Sequence, residues 1–128
     1  MSEFDPGRFE EEKYRDHFTQ LQQAYKAAFG RMREDLGYDS TLVHAVDQFV
    51  LNESEPFWDA ERETFRVEMP EEPTPARRVE NAGVVVDEAK LDAMLEDYRE
   101  TLAEELEYTF GLAERPPEDE TGVPEENA

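Results

Sequence analysis

A regular apolar spacing near the start of the chain is the feature that most constrains its fold. Apolar side chains recur at intervals of 4, 3, 4, 3 and 4 residues, at Tyr14, Phe18, Leu21, Tyr25, Ala28 and Met32. This spacing places them on one face of an α-helix. Asp5 followed by Pro6 is typical of a helix N-cap and first turn, and Gly37 is typical of a C-terminal cap. The chain is therefore predicted to begin with one long helix that buries a single face.

Two further helices are predicted from similar signals. Asp39 or Ser40 begins a short second helix that is apolar round much of its circumference, so we expect it to be buried on more than one side. Asp87 caps a third helix, whose apolar stripe runs from Leu91 to Phe110 before Gly111 ends it.

Two segments between the second and third helices are predicted to be β-strands. Residues 64–69 alternate polar and apolar side chains, and residues 82–86 hold a β-branched run. A proline-rich stretch separates them and is too long for a tight hairpin turn. The predicted fold is therefore α+β: three helices packed on a small two-stranded antiparallel sheet, in the order helix-helix-strand-strand-helix.

We expect residues 1–112 to form a single α+β domain. Residues 113–128 contain three prolines, six acidic residues and almost no apolar side chains, so they are predicted to be an acidic disordered tail. A two-stranded sheet is marginal alone and its exposed edges invite pairing. A homodimer, formed through the sheet or the helical faces, is therefore expected as one solution.

The charge balance limits the partners of the chain. Its 34 Asp and Glu residues against 13 Lys and Arg residues give a net charge of −21. Binding to nucleic acid or to an anionic membrane is not expected, because both need a basic face. Ten of the basic residues are arginine and three are lysine, and there is no cysteine, which excludes disulfides.

An acid-rich, lysine-poor composition suits a cytosol that contains molar salt. At about 1 M salt the Debye length is ~3 Å, so repulsion between carboxylates is screened. The alternative is an ordinary acidic protein that binds a basic partner or mimics nucleic acid. The N-terminal residues lack a basic stretch followed by an apolar run, and no apolar run approaches ~20 residues. A cytoplasmic location is therefore predicted.

The predicted second helix carries the first candidate site. His44, Asp47 and Gln48 lie at positions i, i+3 and i+4, a spacing that suits a metal pair or a base with its orienting group. In a chain this acidic, the same spacing also arises by chance. No catalytic residue, metal ligand or cofactor is assigned, and no catalytic fingerprint occurs.

The second candidate lies just after that helix. Asn52, Glu53, Glu55, Phe57 and Trp58 place polar, acidic and large aromatic side chains within seven residues that we expect to be a loop. This segment is either a binding surface or a turn whose aromatic side chains fold back onto the core.

The third candidate is the pair Arg77 and Arg78, which are adjacent basic residues within the proline-rich stretch. They either pair with acids of the same chain, receive an acidic ligand, or are simply solvated.

The residues around the second helix resemble a known group of sequences. The block at residues 39–57 is similar to the central signature of a haloarchaeal family of short acidic proteins of unknown function. Residues 3–6, 65–70 and 83–87 agree with the same family, so the resemblance covers about residues 3–112. It implies a halophilic cytosol, but it supplies no activity, ligand or catalytic residue.

Apolar patterning is abundant and catalytic patterns are absent, which favours a non-enzymatic protein-interaction or self-associating module with an unknown protein partner. The alternative is a small-molecule hydrolase or metal-dependent enzyme centred on His44, Asp47 and Glu53. The two are distinguished by geometry, because an enzyme requires these side chains to share one pocket.

Overall fold

The chain folds into helices packed around one β-hairpin, as a computed structural model of residues 5–114 describes. In chain order the elements are a 3-10 turn at Pro6–Arg8, α1 at Phe9–Glu12, α2 at Phe18–Glu34, α3 at Ser40–Phe49, a 3-10 turn at Leu51–Glu53, β1 at Glu55–Asp59, β2 at Thr64–Glu68, α4 at Pro75–Asn81 and α5 at Glu88–Thr109. The α+β class and the two-stranded antiparallel sheet are confirmed. Five α-helices lie within residues 5–114, so the predicted number of three is wrong.

The elements with strong local signals form as predicted. Asp39 caps α3 by accepting a hydrogen bond from the Leu42 amide at 3.0 Å. Asp87 caps α5 in the same way through the Lys90 amide at 3.2 Å, and a residue at positive φ, Gly111, follows the helix end. The strand predicted at residues 64–69 is β2.

The predicted first helix is interrupted between α1 and α2. The amides of Arg15, Asp16 and His17 all point at the carbonyl of Glu12, at 2.8–3.2 Å, instead of continuing the regular helical ladder. The break lets Lys13 turn inward, where its ammonium reaches the Pro56 carbonyl on β1 at 2.8 Å. A tertiary hydrogen bond thus accompanies the loss of helical continuity.

An additional helix, α4, lies in the stretch that was predicted to be a proline-rich loop. Thr74 caps it by accepting from the Arg77 amide at 3.2 Å, and Pro75 occupies the first turn. Proline is favoured there because its missing N–H needs no partner. The same residue types that indicated a loop therefore start a helix.

The second strand of the sheet is the principal correction. Residues 82–86 form no strand: Gly83, at φ +87°, ends α4, and Val85 is 98% exposed. The partner of β2 is β1, which lies in the segment predicted to be a loop. Across the pair, Pro56 faces Val67 and Trp58 faces Phe65.

Both edges of the hairpin are blocked by cationic side chains of the same chain. On β1, Pro56 has no N–H to offer and its carbonyl accepts from Lys13. On β2, the Val67 carbonyl accepts from Arg99 Nε at 3.0 Å. Proline and charged side chains are common protections against edge-to-edge pairing. These contacts remove the reason for expecting a second copy to extend the sheet.

The core lies between α2, α5 and the inner face of the hairpin. Its largest fully buried side chains are Tyr98, Phe9, Met32, Leu51, Leu91, Met94, Leu102 and Leu106.

Within residues 5–114, no helix combines the length and apolar character needed to cross a bilayer. Most of the predicted tail, from residue 115 onward, lies outside the described residues.

Candidate interaction surface

The histidine and aspartate of the first candidate face different surroundings. His44 is exposed on α3 and packs edge-on against Phe29, with ring centroids 5.0 Å apart. Asp47 is half-buried and accepts a hydrogen bond from the Tyr98 hydroxyl at 3.3 Å. Burial raises the pKa of Asp47, and the Tyr98 hydrogen bond and nearby His44 oppose that shift. Asp47 is thus held by the core, whereas His44 lies on the surface.

Glu53 belongs to a separate cluster around Arg78. The Arg78 guanidinium pairs with the Glu53 carboxylate at 3.2 Å and donates to the Phe49 carbonyl at 3.4 Å. It also donates to the carbonyls of Pro73 and Glu72, at 2.8 and 3.2 Å. Arg78 therefore joins the end of α3 to the segment before α4 and has a structural role.

The remaining polar candidates on these elements are exposed. Arg77 points to solvent and comes within 3.8 Å of Glu80 one turn later. Asn52 and Gln48 are also exposed, and the Asn52 amide donates to the Gln48 carbonyl at 3.2 Å. That bond satisfies a carbonyl near the C-terminal end of α3.

Two of the three candidates on β1, Glu55 and Phe57, contact a residue that the sequence did not single out. Lys13 is only 2% exposed, and its ammonium pairs with Glu55 at 2.9 Å. The same ammonium lies 4.1 Å from the ring centroid of Phe57, a cation–π contact. Trp58 packs edge-on against Phe65, with centroids 5.2 Å apart. Glu55 and Phe57 therefore hold Lys13, and Trp58 lies against the core.

The proposed catalytic centre is not assembled. Within residues 5–114, no three His, Asp or Glu side chains are grouped so that they could hold a metal ion. Glu53 pairs with Arg78, Asp47 accepts from Tyr98, and His44 lies outside the lining of the groove that contains Asp47. The geometry required for the enzyme alternative is thus not met by these three side chains.

Two candidates, Asp47 and Asn52, line a groove that also holds several aromatic side chains. The groove has a volume of about 630 Å³ and runs between α2 and the connection from α3 to β1. We call it the aromatic groove, and its lining residues are Tyr14, Phe18, Leu21, Gln22, Tyr25, Lys26, Phe29, Asp47, Leu51, Asn52, Ser54 and Pro56. Tyr14 is 55% exposed and Phe18 is 49% exposed. Large aromatic side chains exposed beside one another are typical of protein-interaction sites.

The polar atoms at the base of the aromatic groove are fixed. The Ser54 hydroxyl donates to the Leu51 carbonyl at 2.7 Å, so the Tyr25 hydroxyl, 2.9 Å away, donates to Ser54. Burial raises the pKa of Tyr25 to about 12, which keeps this hydroxyl protonated at neutral pH. The base of the groove is therefore joined by hydrogen bonds, while Tyr14 and Phe18 form its exposed rim.

The side of the groove formed by α2 carries no carboxylate among its lining residues. No Asp or Glu occurs from residue 17 to residue 33, which we call the acid-free segment. Lys26 and Arg33 are exposed within it, and no carboxylate of the described residues lies within 4 Å of either cation. A chain of net charge −21 thus has one segment, beside the aromatic groove, that is neutral to basic.

The sequence missed this surface for one specific reason. Tyr14 and Phe18 were predicted to lie on the buried face of one continuous helix. The break at residues 13–17 changes their direction and leaves both half-exposed. The gap in acidic residues was the one signal in the sequence that could have identified the segment.

The protein is thus a small α+β fold, in which helices pack on one short β-hairpin and the aromatic groove lies beside α2. The chain belongs to DUF5783, a family of unknown function whose sequence model matches residues 1–113. No curated protein and no solved structure matches it.

Proposed function

We propose that the protein is a non-enzymatic protein-interaction module and that the aromatic groove is its binding surface. The observation that carries the proposal is the exposure of Tyr14 and Phe18 beside the acid-free segment. Exposed aromatic side chains lose water favourably on association, and Asp47 is the one carboxylate among the lining residues, so little negative charge has to be desolvated.

We further propose that the protein works in a cytosol that contains molar salt. Support comes from the net charge of −21 and from the small number of lysines. In a chain of this charge, a run of 17 residues without a carboxylate is distinctive. The groove supplies contact area where electrostatic attraction is screened to ~3 Å at about 1 M salt.

Amine-directed cross-linking tests the proposed surface, because the chain has three lysines in different settings. Lys13 is buried, whereas Lys26 lies in the aromatic groove and Lys90 lies at the start of α5. The tagged protein is cross-linked in the cells that produce it, at their native salt concentration. Mass spectrometry then identifies which lysine is linked to another polypeptide.

We expect intermolecular cross-links at Lys26 and few at Lys90. The Phe18→Ser variant should lose the Lys26 cross-links, while Val85→Ser should keep them, because Val85 is exposed outside the groove. Circular dichroism of both variants checks that they fold. An equal distribution of cross-links between Lys26 and Lys90 would contradict the proposal.

A further inference from the structure

The aromatic groove has the chemistry of a site for a cationic side chain. Asp47 is the only acidic residue among its lining residues, and it lies with the rings of Tyr14, Phe18, Tyr25 and Phe29. A carboxylate combined with aromatic faces attracts an ammonium or guanidinium group by charge and by cation–π contact. Within the chain, Lys13 already shows this arrangement, since Glu55 and Phe57 hold its ammonium.

The same face also presents a cation that could fill such a site. Lys26 is exposed, lines the groove, and has no carboxylate of residues 5–114 within 4 Å. It does not pair with Asp47 of its own chain, although both line the same groove. One groove is therefore lined by an ammonium that no described carboxylate approaches within 4 Å and by a half-buried carboxylate.

We propose that the occupant of the aromatic groove is a second copy of this chain, related by a two-fold axis, with Lys26 of each copy entering the groove of the other beside Asp47. In a two-fold dimer the same surface of both copies forms the interface, so every contact occurs twice. One cation and one carboxylate on that surface therefore give two equivalent ion pairs. This inference rests on the proposed function, because it names the partner of the same groove.

Charge favours this face over that of α5 for self-association. α5 carries eight Asp or Glu residues among its 22 residues, so two copies meeting there would bring like charges together. The acid-free segment places Lys26, Arg33 and neutral glutamines at the contact instead. Two molecules of net charge −21 can thus approach through α2 without direct contact between their carboxylates.

Sedimentation equilibrium of the full chain in ~2 M KCl tests the proposal, because salt at that level screens overall repulsion. We expect the wild type to dimerise. Lys26→Glu should raise the dimer dissociation constant by about tenfold or more, because each contact then opposes two carboxylates. Lys90→Glu is the matched control, since it makes the same charge change on an exposed lysine outside the groove, and it should behave as wild type.

A second set of variants tests the pocket without reversing a charge. Asp47→Asn keeps an oxygen that accepts from Tyr98, so the fold is retained, and it should weaken the dimer by about tenfold. Phe18→Ser should also weaken the dimer, while Val85→Ser should not.

The outcomes separate this inference from the proposed function. A wild type that remains monomeric, or Lys90→Glu weakening the dimer as much as Lys26→Glu, would overturn the inference. If the wild type is monomeric but Lys26 cross-links to a different protein, the proposed function stands and only the identity of the partner is wrong. If neither dimer nor Lys26 cross-link is found, both proposals fail.

Discussion

Helices α2 and α5 pack against each other, yet their exposed faces differ in charge. α2 has one acidic residue, Glu34, among 17 residues, whereas α5 has eight among 22. Both helices bury an apolar stripe in the same core. The apolar stripe of a helix therefore shows which face is buried, and the charge pattern shows how the remaining face meets its surroundings.

The contrast suggests different roles for the two helices. The carboxylates of α5 are mostly solvated and keep an acidic surface in water. Apart from Glu34 at its last residue, the exposed positions of α2 hold threonine, glutamine, lysine, arginine and phenylalanine side chains. In a chain where acidic residues are abundant, a segment without them is more informative than any acidic cluster.

The largest expected effect comes from the one ion-pair group that joins the two helices. Arg31 on α2 pairs with Glu105 and Glu104 on α5, each at 3.0 Å, and Glu105 is fully buried. Removing the cation from a buried carboxylate is costly, so Arg31→Met should lower the free energy of unfolding by about 3–5 kcal/mol. Chemical denaturation of the wild type and the variant in high-salt buffer measures this difference in the free energy of unfolding.

Arg33 provides the control for that experiment. It lies on the same helix and is exposed, and none of the described carboxylates approaches it within 4 Å. Arg33→Met should therefore change the stability by only about 0.5 kcal/mol. Adding Glu105→Gln to Arg31→Met should restore part of the loss. If Arg31→Met and Arg33→Met lower the free energy of unfolding equally, the buried ion pair does not hold α2 to α5.

A smaller effect should separate the two helices by their response to salt. We expect the melting temperature of the wild type to rise between dilute buffer and ~2 M KCl, because salt screens repulsion among the carboxylates. Replacing Asp92 and Glu100 on α5 by Asn and Gln should stabilise the protein in dilute buffer by up to about 1 kcal/mol per charge and should reduce the rise.

The neutral change Gln23→Asn on α2 is the matched control, because Gln23 is exposed and the charge is unchanged. It should leave the salt dependence of melting as in the wild type. A wild-type melting temperature that is the same in dilute buffer and in ~2 M KCl would refute the proposed adaptation to salt.

Local signals explain which parts of the fold were predictable. The Asp39 and Asp87 caps and the stripe from Leu91 to Phe110 correctly predicted α3 and α5. In each case a side chain binds a backbone amide three residues away, so the information lies within one turn of sequence. Strand β2 was found because its alternation is likewise local.

Strand pairing was not predictable from the same kind of signal. The run at residues 84–86 has high β-propensity but no partner strand, and it leaves Val85 exposed. β1 lies in the segment that was predicted to be a loop, and it contains Pro56, which is tolerated at a sheet edge where no N–H is needed. Which segment pairs with β2 depends on tertiary packing.

The candidate site was only partly predictable for a related reason. Asp47 and Asn52 do line the aromatic groove, but Tyr14 and Phe18 were expected in the core. Their exposure follows from the helix break beside Lys13, whose partners Glu55 and Phe57 lie more than 40 residues away in the chain. No pattern within residues 5–37 could show that contact.

The smallest expected effect distinguishes the carboxylate in the groove from those on α5. Burial raises the pKa of Asp47 above its ordinary value of 3.8, so the folded state disfavours the ionised form. The protein should therefore lose stability as the pH rises from 3.8 through the raised pKa, and level off above it. Asp47→Asn does not titrate and still accepts from Tyr98, so it should gain stability relative to the wild type over that interval. The gain should stay below about 1 kcal/mol, because Asp47 is only half-buried and solvent screens its charge.

Denaturation curves collected across that pH range, at protein concentrations low enough to keep the chain monomeric, measure the difference. Asp92→Asn, which changes an exposed carboxylate on α5, is measured alongside. A gain of the same size in both variants would mean that Asp47 is as well solvated as the carboxylates of α5. The groove would then hold no desolvated charge for Lys26 of a second copy to neutralise, and the contrast between the two faces would reduce to the number of acidic residues on each.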